Sequence, residues 1–207
     1  MTETRNVAIL IFDDVELLDF CGPYEVFSVA ASRNSPPPFR VCTLAVKPGP
    51  VIARNGLSIN ANYGLHDCPP PDLLVIPGGQ GTRPLLKDEA LLGWLREQDA
   101  RSELTLSVCT GSLLLARAGL LQGLRATTHW GSLGLLEALA PGTQVLRDTR
   151  YVDNGRIITS AGISAGIDMS LHVVERLLGV EHAAATARHM EYDYWPQGRV
   201  DGSNCRQ

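Results

Sequence analysis

The sequence predicts an α/β protein built on an open, mostly parallel sheet covered by helices on both sides. Three observations carry this prediction. The apolar runs "NVAILIF" (6–12), "PDLLVIPGG" (71–79) and "LTLSV" (104–108) are continuous rather than alternating, as in strands buried on both faces. Segments of helical period lie between them. Strands and helices alternate along the chain instead of segregating, and that alternation favours parallel pairing through crossover helices.

Taken in order, "NVAILIF" is the first central strand. Asp13 or Asp14 is placed to cap a short helix running through Leu18. Pro23, in "CGPYEVF", is expected to end that helix and open the next, because proline cannot continue the hydrogen-bond ladder. "FRVCTLAV" (39–46) reads as a strand, and "VIARNGLSINA" (51–61), centred on Asn55-Gly56, as a hairpin. The strand ending at Gly78-Gly79 precedes a helical stretch in which Leu91, Leu92 and Leu95 share a face. "LRATTHW" supplies a short strand before a helix around 132–140, and "YVDNGRIIT" carries a second hairpin signal at Asn154-Gly155. Ile167, Leu171, Val174 and Leu178 recur at spacings of four, three and four, an amphipathic helix packing onto a sheet. There is no internal repeat, and the linker-like "NSPPPF" is too short to separate domains. Residues 1–207 are therefore expected to form one domain with a polar tail from about 197.

Composition narrows the function. Hydrophobic residues make up 44%, charged residues 19%, and the net charge is −4, the profile of a globular protein. No Lys/Arg cluster is available to neutralise phosphates, so nucleic acid is not an expected partner. No apolar stretch approaches the roughly 18 to 20 residues needed to span a bilayer. The first one runs into Asp13-Asp14 with no small-residue cleavage site, so a cytoplasmic protein is expected. Five cysteines, an odd number without CxxC spacing, suit free thiols better than a disulfide framework or a zinc site. No metal is expected.

Cys109 stands apart from the other four. Cys21, Cys42 and Cys68 read as small core or surface residues, and Cys205 lies in the polar tail. Cys109 falls where "LTLSV" must turn abruptly into the helix of "CTGSLLLARAGLL", which pushes its sulfur outward. Amides at the start of that helix would stabilise a thiolate and lower the thiol from about 8.5 toward the neutral range. On placement, a nucleophile fits better than core filler. Charge developing on a substrate needs donors, and the N–H groups of Gly79 and Thr110 are the candidates, with Gly78 beside them. "PGGQG" lacks both the Lys-Ser/Thr of a phosphate-binding loop and a full dinucleotide fingerprint.

For proton transfer the candidate is Asp19, flanked by Leu18 and Phe20. A carboxyl so placed is either a helix cap or an acid shielded from water with a raised pKa. Glu16 and Glu25 read more simply as solvated helix residues. None of the five histidines adjoins Cys109 in sequence; His129 in "TTHW" is open to lining the pocket, but beside Trp130 it reads more simply as a hydrogen-bonded structural residue and is left out of the catalytic set.

"NVAILIFDDVELLDFCGPYEVF", "DLLVIPGGQG", "LTLSVCTGSLLLARAGLL", "RATTHW", "AGISAGIDMSLHVVERL" and "MEYDYWPQ" together resemble the ThiJ/PfpI superfamily, and within it the isocyanide hydratases. The resemblance implies a flavodoxin-like three-layer sandwich, commonly dimeric, with a nucleophilic cysteine at position 109 and a carboxylic acid at Asp19 hydrogen-bonded to it. It also implies that Gly79 and Thr110 present backbone N–H groups to the substrate. Sister families differ at informative positions. Glutamine amidotransferases carry glycine two residues before the cysteine and a later His-x-Glu, where this chain has Ser107 and "EHAAA". PfpI-type peptidases place histidine directly after the cysteine, where Thr110 stands here. AraC-type regulators follow a related sensor with a helix-turn-helix domain, and only "QGRVDGSNCRQ" follows Pro196.

The expected activity is therefore cofactor-independent hydration of a small isocyanide to an N-substituted formamide, through a covalent thioimidate on Cys109. The alternatives are glyoxalase-like hydration of a small dicarbonyl, a non-catalytic electrophile or redox sensor, and a regulatory module acting through a protein partner.

Overall fold

A computed structural model describes residues 4–32 and 35–194 of the chain. The polar tail expected from about 197, with Cys205, lies outside the described residues. The elements run β1 (Arg5–Ile11), α1 (Leu17–Ser32), β2 (Phe39–Ala45), β3 (Val51–Ile52), β4 (Ser58–Ile59), β5 (Tyr63–Gly64) and β6 (Leu73–Ile76). They continue with α2 (Thr82–Leu85), α3 (Glu89–Arg101), β7 (Leu104–Val108), α4 (Gly111–Arg117), β8 (Arg125–Ala126) and α5 (Leu133–Leu139). The last are β9 (Gln144–Val145), β10 (Tyr151–Asp153), β11 (Ile157–Ser160), α6 (Ala165–Leu178) and α7 (Val180–His189).

Seven strands form the main sheet in the order β10-β11-β7-β6-β1-β2-β5. All its pairs are parallel except β10 with β11. The expected α/β architecture, a mostly parallel sheet flanked by helices in the flavodoxin-like manner, is the one found. The helices pack in two groups, α1 with α6 and α7, and α4 with α2, α3 and α5. Covered on both faces, the central strands need apolar side chains at every position: Val7 to Ile11 and Leu73 to Ile76 are all fully buried. Each such Val, Leu or Ile contributes roughly 1.5–3 kcal/mol of burial. The chain leaves β1 toward β2 on one side and β6 on the other, and the crevice at the carboxyl ends of such strands is where α/β folds place ligands.

Both Asn-Gly turns form hairpins, β3 with β4 and β10 with β11. The helix bearing Leu91, Leu92 and Leu95 is α3, which buries all three and is capped by the Asp88 carboxylate accepting from Leu91 N–H at 3.0 Å. The amphipathic stretch from Ile167 is α6. α7 follows it directly and was not anticipated.

The segment after β1 corrects an expectation. α1 is one helix with Pro23 inside it, not two helices divided there. The omitted ladder bond would run to the Asp19 carbonyl, and interior proline costs about 3 kcal/mol or more. Phe20, Val26 and Phe27 are all buried, at roughly 1.5–3 kcal/mol each, so packing outweighs the loss. Nor do Asp13 and Asp14 cap the helix. The Asp13 carboxylate accepts from Ile52 N–H at 3.0 Å, and Asp14 turns the chain at φ 60°. Together they tie the β1–α1 loop to the β3–β4 hairpin. The same loop bridges to the glycine pair through Val15 and Gly79, with Glu16 N–H donating to the Gly78 carbonyl at 2.9 Å.

Candidate active site

Three loops meet at the carboxyl edge of the sheet, after β1, β6 and β7. Cys109 occupies the turn from β7 into α4 at φ 56°, a left-handed conformation uncommon outside glycine. Its N–H faces the Ser160 and Ala161 carbonyls at 3.2 Å each. Its own carbonyl accepts from the Thr128 hydroxyl at 2.8 Å and the Ser112 hydroxyl at 3.1 Å. These contacts hold the strained residue in place. Only 6% of Cys109 is exposed, and the exposed part opens into a cavity of about 100 Å³ shared with Gly79, Thr110, Arg83, His129 and Ile163. Larger hollows of about 400 Å³ beside α7 and about 310 Å³ beside the β3–β4 hairpin have no cysteine in their walls.

Asp19, in the first turn of α1, is fully buried beneath this sulfur. Of the two readings open to it, the shielded acid is the one found. Its Oδ2 accepts from Gly78 N–H and its Oδ1 from Ile163 N–H, both at 3.0 Å. Burial pushes the Asp19 carboxyl up to about 7, against the opposing effects of the Cys109 thiol and the Gly78 and Ile163 amides. An acid with that value both takes and returns a proton near neutral pH.

The thiol departs from expectation in its direction of shift. Burial, followed by the negative charge of Asp19, pushes Cys109 up to about 12, while Thr110 N–H pulls it downward. The seven-residue α4 presents too little positive potential to offset desolvation of the sulfur. Two raised, interacting groups titrate as a pair, so sulfur and carboxyl together keep a proton between about pH 7 and 12.

The three backbone residues expected to bind substrate do converge here, but two of their amides are engaged. Gly78 N–H serves Asp19, and Gly79 N–H donates to the Thr110 hydroxyl at 3.0 Å. Gly78 is required for another reason. A Cβ on it would lie 2.5 Å from Thr110 N and 2.9 Å from Asp19 Oδ2, so only glycine lets the β6 loop approach both.

Sequence reasoning left several lining residues out of the site. His129 does line the cavity, its Nδ1 accepting from Gly131 N–H at 3.2 Å. Arg83 enters from α2, and its Nη1 donates to the Gly79 carbonyl at 3.1 Å. Glu16 and Arg54 form an ion pair at 3.2 Å on the rim. Arg83, four residues after the glycine pair, offered a readable signal: a cation following a tight loop. Ile163 offered none, since its contribution is a backbone amide 144 residues from Asp19. Among the described residues no cluster of histidine, cysteine or carboxylate side chains is arranged to hold a metal, and no helix is long and apolar enough to cross a membrane.

A profile of the DJ-1/PfpI family matches residues 5–176. The chain is 40% identical to the isonitrile hydratase of Pseudomonas putida over 187 residues, covering 90% of this chain and 78% of the relative. It is 34% identical to the HTH-type transcriptional regulator CdhR of Pseudomonas aeruginosa over 87% of this chain, but spans only 53% of the regulator. Among solved structures, a THiJ/PfpI family protein from Pseudomonas syringae superposes with a TM-score of 0.83 at 29% identity, covering 96% of this chain and 79% of that one. Drosophila melanogaster DJ-1beta shares the fold with a TM-score of 0.80 at 20% identity, covering 93% and 100% of the two chains.

Proposed function

The chain belongs to the DJ-1/PfpI family, and from that premise we propose that it hydrates a small isocyanide to the N-substituted formamide, with Cys109 as nucleophile and Asp19 as proton carrier. The observation that carries this reading is the buried Asp19 carboxyl, at about 7, paired with a cysteine that opens into a small cavity. Similarity to the P. putida isonitrile hydratase supports it.

Above about pH 7 the pair holds one proton. As the sulfur adds to the terminal carbon of R–N≡C, the carboxylate draws the thiol proton and returns it to that carbon, giving the thioimidate R–N=CH–S–Cys109. Asp19, again a carboxylate, takes a proton from water as the oxygen adds to the same carbon. That proton passes to nitrogen, leaving R–NH–CH(OH)–S–Cys109. Loss of the hydroxyl proton to sulfur as the C–S bond breaks releases R–NH–CHO and the thiol. The covalent route divides one difficult addition into two easier ones. Thr110 N–H, directed at the sulfur, holds negative charge there during attack and departure. In this reading the protein acts on a small molecule, without cofactor, as a cytoplasmic homodimer.

A turnover assay separates this proposal from glyoxalase-like chemistry. Formamide production from an isocyanide, with slower or no consumption of methylglyoxal, is the expected result; the reverse preference would overturn it. A second reading, a sensor that reacts at Cys109 without turnover, draws on the similarity to CdhR and on the opening of the sulfur into a cavity. One modification per thiol and no product would favour that reading.

A further inference from the structure

The cavity over Cys109 contains a cation whose charge the described residues leave unmatched. The Arg83 guanidinium is fixed by three bonds: Nη1 to the Gly79 carbonyl at 3.1 Å and to the Thr82 hydroxyl at 2.9 Å, and Nη2 to the Ser132 hydroxyl at 3.3 Å. A guanidinium has five N–H donors, so Nε–H and one Nη2–H have no protein acceptor among the described residues. Every acceptor it does have is neutral, and no carboxylate pairs with it there. The two acids nearest the cavity are committed elsewhere. Glu16 pairs with Arg54, and Asp19 is fully buried under the Gly78 and Ile163 amides. Thr110, Ser132 and His129 complete a polar wall, an unusual lining for a site that would accept only apolar groups.

We propose that Arg83 is a specificity-determining residue, which draws into this cavity small electrophiles bearing one carboxylate. The planar fork with two unused donors matches a carboxylate, and its three anchors mean that little side-chain order is lost when one binds. The substrate class becomes an isocyanide, or another carbon electrophile, with a carboxylate a short distance from the reacting carbon. The inference rests on the reading of Cys109 as the reacting centre, but not on the identity of the reaction.

Iodoacetate and iodoacetamide form the same S–CH₂ bond with loss of iodide and have nearly the same shape, but only iodoacetate is negatively charged. The measurement is the rate of alkylation of Cys109 by each, followed by peptide mass spectrometry, in the wild type, Arg83→Gln and Arg83→Lys, with a free thiol in the same buffer as reference. The expected iodoacetate-to-iodoacetamide ratio at Cys109 exceeds that of the free thiol by about tenfold, as a charge-assisted bond warrants. It falls by about the same factor in Arg83→Gln and largely recovers in Arg83→Lys. A wild-type ratio at or below that of the free thiol overturns the proposal. So does a ratio unmoved by Arg83→Gln, including the case where both rates fall together because Arg83 merely braces the Gly79 loop. Failure of both reagents to label the wild type also overturns it, since small anions then do not reach the sulfur. The ratio needs no turnover, so its outcome is independent of whether the chain hydrates isocyanides.

Discussion

Ile163, held at φ 57°, donates its backbone N–H to Asp19 Oδ1 at 3.0 Å. A β-branched residue in this region costs of order 1–3 kcal/mol and persists only where its surroundings over-determine it. Here the bond joins the loop after β11 to the first turn of α1, while Gly78 N–H secures the other carboxylate oxygen. Asp19 thus fastens the loops after β6 and β11 to α1, beside the Cys109 sulfur.

The raised Asp19 value makes stability depend on pH. A carboxyl at about 7 in the folded chain and 3.8 when unfolded binds its proton more tightly in the folded state. Its contribution is fully present below about pH 4 and is lost as pH rises through 7. At about 1.4 kcal/mol per unit the total change is at most about 4 kcal/mol. Asp19→Asn removes this dependence, so urea unfolding at pH 5 and pH 8 is expected to show the variant gaining on the wild type by a few kcal/mol at the higher pH. An equal difference at both pH values would mean that Asp19 ionises normally.

Catalysis is expected to respond to pH in the opposite sense. The working pair holds one proton, so kcat/KM rises as pH increases through about 7 and levels off above it. In Asp19→Asn the inflection disappears and kcat falls by roughly 10²–10⁴-fold, the range of a lost acid–base group. A retained inflection in the variant would assign the titration to another group.

Gly78→Ala inserts a methyl 2.5 Å from Thr110 N and 2.6 Å from Thr110 Oγ1. Neither backbone nor buried hydroxyl is free to retreat, so a loss of about 1–3 kcal/mol or more in unfolding free energy is expected. Activity falls with it. A variant with wild-type stability and turnover would show that the β6 loop packs less closely than described.

Gly162→Ala tests the roof of the cavity. The added Cβ would lie 2.5 Å from His129 Cδ2 and 3.5 Å from Cys109 Sγ. The His129 ring must move, and the expected effect is a KM raised several-fold, more for bulky R groups than for methyl. Steady-state kinetics over a series of alkyl isocyanides checks it; a uniform change across the series would contradict it.

Legibility in the sequence followed the range of the interactions. β1, β6 and β7 announced themselves because strands buried on both faces need unbroken apolar runs, and the hairpins because Asn-Gly supplies its own turn. The place of Cys109 at the turn from β7 into α4 was legible from the strand-to-helix junction. α1 was not, because the packing of Phe20, Val26 and Phe27 that overrides Pro23 is tertiary. The thiol's direction of shift was misjudged because it turns on desolvation and on Asp19, 90 positions away in the chain. Arg83 and Ile163 enter the site through α2 and a backbone amide, and only the fold brings them to the sulfur.

On the proposed route, carbon–sulfur bond formation at Cys109 precedes formamide release. Its most direct test is rapid-quench mass spectrometry of the protein mixed with an isocyanide, run beside product analysis in the wild type and Cys109→Ala. The expected result is a transient adduct on the Cys109 peptide equal to the mass of the isocyanide, decaying at the rate formamide appears, and no formamide from Cys109→Ala. Formamide released by Cys109→Ala at the wild-type rate, or by the wild type with the Cys109 peptide never modified, would contradict it.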